Sequence, residues 1–210
     1  MRLYFMRHAM SEANARDILA GQIDSPLSDQ GFIDAESASR SFCENHTLDT
    51  IISSPLLRAR QTAGAFARNL KLSIEIDNAL IEQDLGVFAG KTYTEVESDP
   101  EYQKDKTLRW EWHPPKGESY SMIADRVRPF FFRLDARKHL FDTILTGGSI
   151  LIVSHAVTIR LIIGLLQDSL PQYPIKLLRN SEIVEVDYHG LGAKHELTTH
   201  YFGMDYDSKA

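Results

Sequence analysis

The sequence predicts an α/β fold: a single domain with a mostly parallel central sheet of about six strands and helices on both faces. Short apolar and β-branched runs alternate with longer stretches of helical period, which is the pattern of βαβ units. A chain of 210 residues with 43% hydrophobic content can bury one substantial core and falls in the size range of single α/β domains. The runs Leu3-Tyr4-Phe5-Met6 and Ile150-Leu151-Ile152-Val153-Ser154 end on Arg7-His8 and on His155. As parallel strands, their carboxyl ends meet at one edge of the sheet, where such sheets bind ligands.

Strands are placed near 2–6, 49–53, 72–76, 149–154, 182–188 and 195–201. Between the first two, Ser28 reads as the N-cap of a helix through Phe32, Ala35, Ala38 and Phe42, with Asp29 favoured in its first turn. Ser53-Ser54-Pro55 combines a Ser cap with Pro at the first helical position, so a helix is expected over about 55–69. Ile123, Val127, Phe130, Phe131 and Leu134 recur at helical spacing and predict a long core-packed helix from about Glu118 to His139, kinked at Pro129. The aperiodic stretch at about 92–117, with Pro100, Trp110, Trp112, Pro114 and Pro115, reads as an insertion capping a substrate pocket. The domain is assigned to 1–203, with a dispensable tail at 204–210.

Composition narrows the function classes. The formal charge of -6 opposes nonspecific binding to nucleic acid or anionic lipid, so any site for a small anion must be locally basic. Cys43 is the only cysteine, which excludes an internal disulfide framework and a multi-cysteine metal site and suits a reducing compartment. The first apolar stretch is too short for a signal peptide or a membrane span, and a cytoplasmic location is expected. Oligomeric state has no signature here.

Phosphoryl transfer needs cations on the nonbridging oxygens, an in-line nucleophile and an acid for the leaving oxygen. Arg7 and Arg58 each follow a predicted strand, and planar guanidinium groups suit bidentate phosphate binding. Their charge disfavours a divalent cation at His8 and His155, so no metal site is expected, and it lowers a histidine pKa toward the neutral, nucleophilic form. His8 fits that nucleophile. Glu82, in a loop after the third strand, is the candidate acid, with Asp84 its rival two residues on and Gly86 and Gly90 supplying tight turns.

These residues stand in an order that resembles the histidine phosphatase superfamily, also called phosphoglycerate mutase-like. The resemblance runs through Arg7-His8-Ala9 with Ser11 and Asn14, Ala20-Gly21-Gln22, and Leu27-Ser28 with Gly31. It continues through Ser53-Ser54-Pro55-Leu56-Leu57-Arg58-Ala59, Glu82 with Gly86 and Gly90, Pro115-Lys116-Gly117-Glu118-Ser119, Val153-Ser154-His155-Ala156 and Arg160. It implies that His8 becomes phosphorylated, that Arg7, Arg58 and His155 hold the phosphoryl group, and that Glu82 serves as acid and then as base toward water. Asn14 and the Gly21 backbone are implied on the substrate side, and Ser11, Gln22 and Ala156 are carried as substrate-binding candidates with them. No metal or organic cofactor is implied, apart from the bisphosphoglycerate primer of the mutases. Ala9 and Ala156 stand where many relatives have Gly.

Mutases of this family carry Tyr three residues after the acid, whereas this chain has Leu85, and its stretch between Glu82 and His155 is shorter. The expectation is therefore a metal-independent phosphomonoesterase acting on a small phosphorylated substrate. The alternatives are mutase-type phosphoryl transfer and a non-catalytic phospho-ligand binder. Arg109, Trp110, Trp112, His113 and Lys116 are candidates for specificity.

Overall fold

The structure, a computed structural model, describes residues 1–144 and 148–201. The expected tail at 204–210 lies outside the described residues. The elements in chain order are β1 (Arg2–Arg7), α1 (Glu12–Ala15), α2 (Asp29–Cys43), β2 (Thr50–Ser53), α3 (Leu57–Leu70) and β3 (Ile74–Ile76). They continue with α4 (Tyr93–Glu97), α5 (Tyr120–Ile144), β4 (Ser149–Ser154), α6 (Ala156–Leu166), β5 (Glu182–Asp187) and β6 (Leu197–Tyr201). All six strands form one sheet in the order β3-β2-β4-β1-β5-β6. Pairings among β3, β2, β4 and β1 are parallel, and β5 and β6 add an antiparallel edge.

The sheet is covered on both faces because its central strands are apolar on both. Leu3, Phe5, Ile150, Ile152, Val184 and Val186 face the α5 and α6 side, where Ile123, Val127, Phe131, Ile159 and Ile162 pack against them. Tyr4, Met6, Ile51, Leu151 and Val153 face the other side, against Ala35, Ala38 and Phe42 of α2 and Ala59, Ala63 and Phe66 of α3. The aromatic stripe of α5 is core, as its spacing predicts, and the helix continues through Pro129 to Ile144. No helix among the described residues is long and apolar enough to cross a membrane.

Two local features set the site. Ser28 caps α2 by accepting the Gly31 N–H at 3.1 Å, as expected, and its own N–H and hydroxyl both donate to the Met10 carbonyl. Gly31 lies so close beneath that a Cβ there would fall 1.9 Å from Met10 O, so glycine lets α2 dock directly under the loop after β1.

The start of α3 corrects the sequence expectation. It begins at Leu57, two residues after Pro55, and Leu56 caps it without a side-chain bond. The Ser54 hydroxyl is instead committed to the His155 ring at 2.7 Å and to the Leu56 N–H at 3.3 Å.

Candidate active site

The register of the two central strands determines where the site forms. Arg7 pairs with Ser154, and the His8 N–H donates to Ser154 O at 3.0 Å, so His8 and His155 leave β1 and β4 at the same height. Their ring centroids stand 5.1 Å apart. Both residues are buried, His155 completely. A cavity of ≈ 290 Å³ opens beyond these strand ends and is lined by Arg7, His8, Ser11, Asn14, Gly21, Arg58, Glu82 and Ala156, among others.

The protonation pattern of His8 follows from its two hydrogen bonds. Nδ1 lies 2.7 Å from the Ala9 carbonyl, which only accepts, so Nδ1 carries the proton. Arg58 Nε donates to His8 Nε2 across 3.2 Å, which requires a lone pair on that nitrogen. Both bonds fit one neutral tautomer. Burial, then the Arg58 and Arg7 charges, push the pKa of His8 well below its usual value and keep this form. Burial first, then Arg58, His8, Arg7 and Arg126, push down that of His155.

Arg58 is itself fixed. Nη2 donates to Gly21 O at 2.7 Å and Nη1 to Ile23 O at 3.0 Å, tying α3 to the loop that forms one cavity wall. Arg7 donates from Nη1 to Leu178 O at 2.6 Å, and its buried Nε has no partner among the described residues. His155 uses Nε2 toward Ser54, which leaves its buried Nδ1 without a partner among the described residues.

Glu82 reaches the site from the loop after β3. Its carboxylate accepts the Val157 and Thr158 N–H groups at 3.3 and 3.2 Å, at the amino end of α6, where the helix dipole favours negative charge. The Glu82 carbonyl accepts the Gln22 side-chain amide at 3.0 Å and Arg126 Nη2 at 3.2 Å. Arg126 also holds the carbonyls of Ala79 and Ile81 and pairs with Glu118 at 3.0 Å, so it clamps the whole 79–82 segment. Asp84 does not line the cavity, and its Oδ1 accepts the Gly86 N–H at 2.8 Å. Gly86 has φ +49°, and a Cβ on it would fall 2.0 Å from Pro115 O, so this turn packs tightly against the segment at 115–117.

Among the residues expected on the substrate side, Ser11 caps α1 by accepting the Asn14 N–H, and the Asn14 side chain accepts the Ser11 N–H in return; both line the cavity. Asn180, which the sequence does not single out, donates to His8 O at 2.8 Å and Asn14 Oδ1 at 3.4 Å. Gln22 does not line the cavity, and it touches the site through the Glu82 carbonyl. Among the specificity candidates, Arg109 and Trp112 line the cavity. Trp110 packs against the core on the α5 face, while His113 and Lys116 do not line the cavity. Tyr93, Tyr102, Lys106, Tyr120 and Leu177 line it without having been legible as site residues.

A neutral imidazole whose Nε2 carries no proton and accepts only from Arg58, beside guanidinium groups that pair with no carboxylate among the described residues, can attack an anionic electrophile such as a phosphoryl group once that contact shifts to the incoming anion. Comparison with known proteins agrees with the fold. The solved structure of mycobacterial glucosyl-3-phosphoglycerate phosphatase in complex with VO3 superposes with a TM-score of 0.82 at 24% identity, over 96% of this chain and 98% of that one. Putative phosphoserine phosphatase 2 of Hydrogenobacter thermophilus is 33% identical over 170 residues, 79% of this chain and 78% of that protein. A bifunctional protein of Mycobacterium tuberculosis is 30% identical over 169 residues, 80% of this chain, which spans only 44% of that relative's length. The family profile described as histidine phosphatase superfamily (branch 1) matches residues 3–199, and the chain belongs to that superfamily.

Proposed function

We propose that this protein hydrolyses phosphate monoesters through a phosphohistidine on His8, without a metal ion, and that residues 92–117 cap the substrate. The observation that carries this reading is the state of His8: a neutral ring, Nε2 lone pair free of a proton, beside Arg58 in a buried site. Pure ligand binding needs the arginines but gives no reason for an unprotonated nucleophile. The phosphatase names of the Hydrogenobacter relative and the mycobacterial structure support the same reaction class.

In this mechanism the phosphoryl group sits between Arg7, Arg58 and His155 Nδ1–H, and His8 Nε2 attacks phosphorus opposite the leaving oxygen. The P–O bond to the alcohol breaks as the N–P bond forms. Glu82, protonated, gives its proton to the leaving oxygen. After the alcohol departs, the Glu82 carboxylate takes a proton from water, whose oxygen attacks phosphorus and breaks the N–P bond, releasing phosphate and restoring neutral His8. The Val157 and Thr158 N–H groups steady the carboxylate between these two proton transfers.

Hydrolysis of a generic aryl phosphate in excess EDTA tests the reading. Turnover at an undiminished rate is expected. No turnover by the wild type at any pH refutes the phosphatase assignment, and loss of activity in EDTA refutes the metal-free mechanism.

A further inference from the structure

Five cationic side chains, Arg7, Arg58, Lys106, Arg109 and Arg160, line the cavity against two acidic ones, Glu82 and Glu97. Two of the cations are accounted for at the phosphoryl end. Arg109 and Arg160 lie elsewhere in the cavity and need a separate explanation.

Arg160 is only 5% exposed. Its Nη1 donates to the Tyr120 hydroxyl at 3.3 Å and its Nη2 to the Ile175 carbonyl, and its guanidinium lies 5.9 Å from the Tyr173 ring. Its buried Nε has no partner among the described residues. Arg109 donates to the Tyr102 hydroxyl at 2.6 Å and to the Gln103 carbonyl at 2.9 Å, and it also interacts with Tyr120. Arg160 is thus bonded to the Tyr120 hydroxyl, and Arg109 lies near enough to the same tyrosine to interact with it electrostatically.

Neither makes an ion pair with a carboxylate among the described residues. Elsewhere this fold does pair its arginines, as in Arg126 with Glu118, Arg133 with Asp77 and Arg137 with Glu75. Arg160 is therefore a buried cation held only by neutral groups among the described residues, which is costly unless an anion completes it, and Arg109 is half-buried.

We infer that Arg109, Arg160 and the Tyr120 hydroxyl form an anion subsite at the leaving-group end of the cavity, so that the substrate is a phosphomonoester whose alcohol carries a second anionic group, a carboxylate or a second phosphate. The inference rests on the phosphatase reading of the same cavity. Arg160 stands five residues beyond His155, the N-cap of α6, or about 7.5 Å along the helix axis, so the two anions of the substrate are separated by a short carbon skeleton. Tyr102 and Trp112 wall the space alongside.

The test compares kcat/KM for glycerol phosphate, phosphoglycerate and propanediol bisphosphate, with an aryl phosphate whose phenol carries no second anionic group as reference for turnover. Wild type is expected to prefer at least one of the two anionic alcohols over glycerol phosphate by roughly tenfold or more, the scale of a charge-assisted bidentate contact. Which of the two is preferred distinguishes carboxylate from phosphate. The preference ratio collapses toward unity in Arg109→Met and in Arg160→Met, whereas Arg160→Lys, which keeps the charge and folds more readily, retains part of it. Turnover of the aryl phosphate with no preference in the wild type overturns the subsite while leaving the phosphatase reading intact. Where nothing is turned over, calorimetric binding of the same series still reads the subsite. Tighter binding of an anionic alcohol phosphate than of glycerol phosphate upholds it, and equal affinities overturn it.

Discussion

Replacing Arg58 by Met isolates the group on which most of the site depends. Arg58 is 3% exposed, and its guanidinium makes three bonds, to Gly21 O at 2.7 Å, Ile23 O at 3.0 Å and His8 Nε2 at 3.2 Å. Methionine fills much of the volume and satisfies none of them. The Gly21 carbonyl is left buried without its donor, and the Ile23 carbonyl, being partly accessible, can turn to water. Relief of the arginine's own desolvation offsets part of this. The expected net loss is about 2 kcal/mol of stability, a Tm lowered by roughly 4–8 °C for a chain of this size. Activity should fall further, because a preorganised cation on the phosphoryl oxygens contributes about 3–4 kcal/mol in the transition state, or roughly a hundred- to a thousandfold in kcat/KM. The pH profile adds an independent readout. Arg58 is the second cause, after burial, that lowers the His8 pKa, so its removal raises that pKa and moves the acid limb of kcat/KM to higher pH. The assay is steady-state hydrolysis of an aryl phosphate across pH, paired with urea unfolding. A variant within threefold of wild-type kcat/KM, with an unmoved acid limb, refutes the placement of Arg58.

Other consequences follow from the same geometry. Glu82→Gln keeps the shape of the side chain and removes the transferable proton. It should lower kcat by about a hundredfold or more while the inhibition constant of inorganic phosphate changes little, and equal loss in both would assign Glu82 to binding. His8 and His155 both have pKa values pushed well below 6.5. Below that pH the unfolded chain takes up protons that the folded protein does not, so stability should fall with falling pH, by about 1.4 kcal/mol per pH unit for each histidine. The urea midpoint of His155→Asn should accordingly depend less steeply on pH than that of wild type, and equal slopes would contradict the buried neutral pair. Gly31→Ala forces a methyl group against the Met10 carbonyl and should destabilise the protein by about 2 kcal/mol and disturb the loop after His8. Full stability and activity in that variant would show that α2 can withdraw without effect on the site.

Much of this was legible in the sequence because it is written in short-range pattern. The apolar runs ending on His8 and His155 are strands whose register fixes the pair, and the alternation of apolar residues between the two faces is ordinary β-sheet chemistry. Helix α6 was not legible, because Ala156–Leu166 is buried on nearly every side and shows no polar face from which to read a period. The α3 start misled because Ser54 looks like a cap when read locally, whereas its hydroxyl is taken by a histidine 101 positions away. Arg126, Glu118 and Asn180 act by holding backbone carbonyls and loop amides at long range, and no local signal in the sequence marks such a role. The family resemblance pointed to Glu82, and the loop contacts account for why Glu82 rather than Asp84 faces the cavity.

The central claim is that His8 carries the phosphoryl group during turnover. Rapid acid-free quenching of the enzyme with a radiolabelled phosphomonoester, followed by peptide mapping, reads it directly. The expected result is an acid-labile, base-stable label on the peptide containing His8, which builds up in Glu82→Gln with an aryl phosphate and is absent in His8→Ala. A label that persists in His8→Ala, or that maps to another residue in the wild type, contradicts the claim.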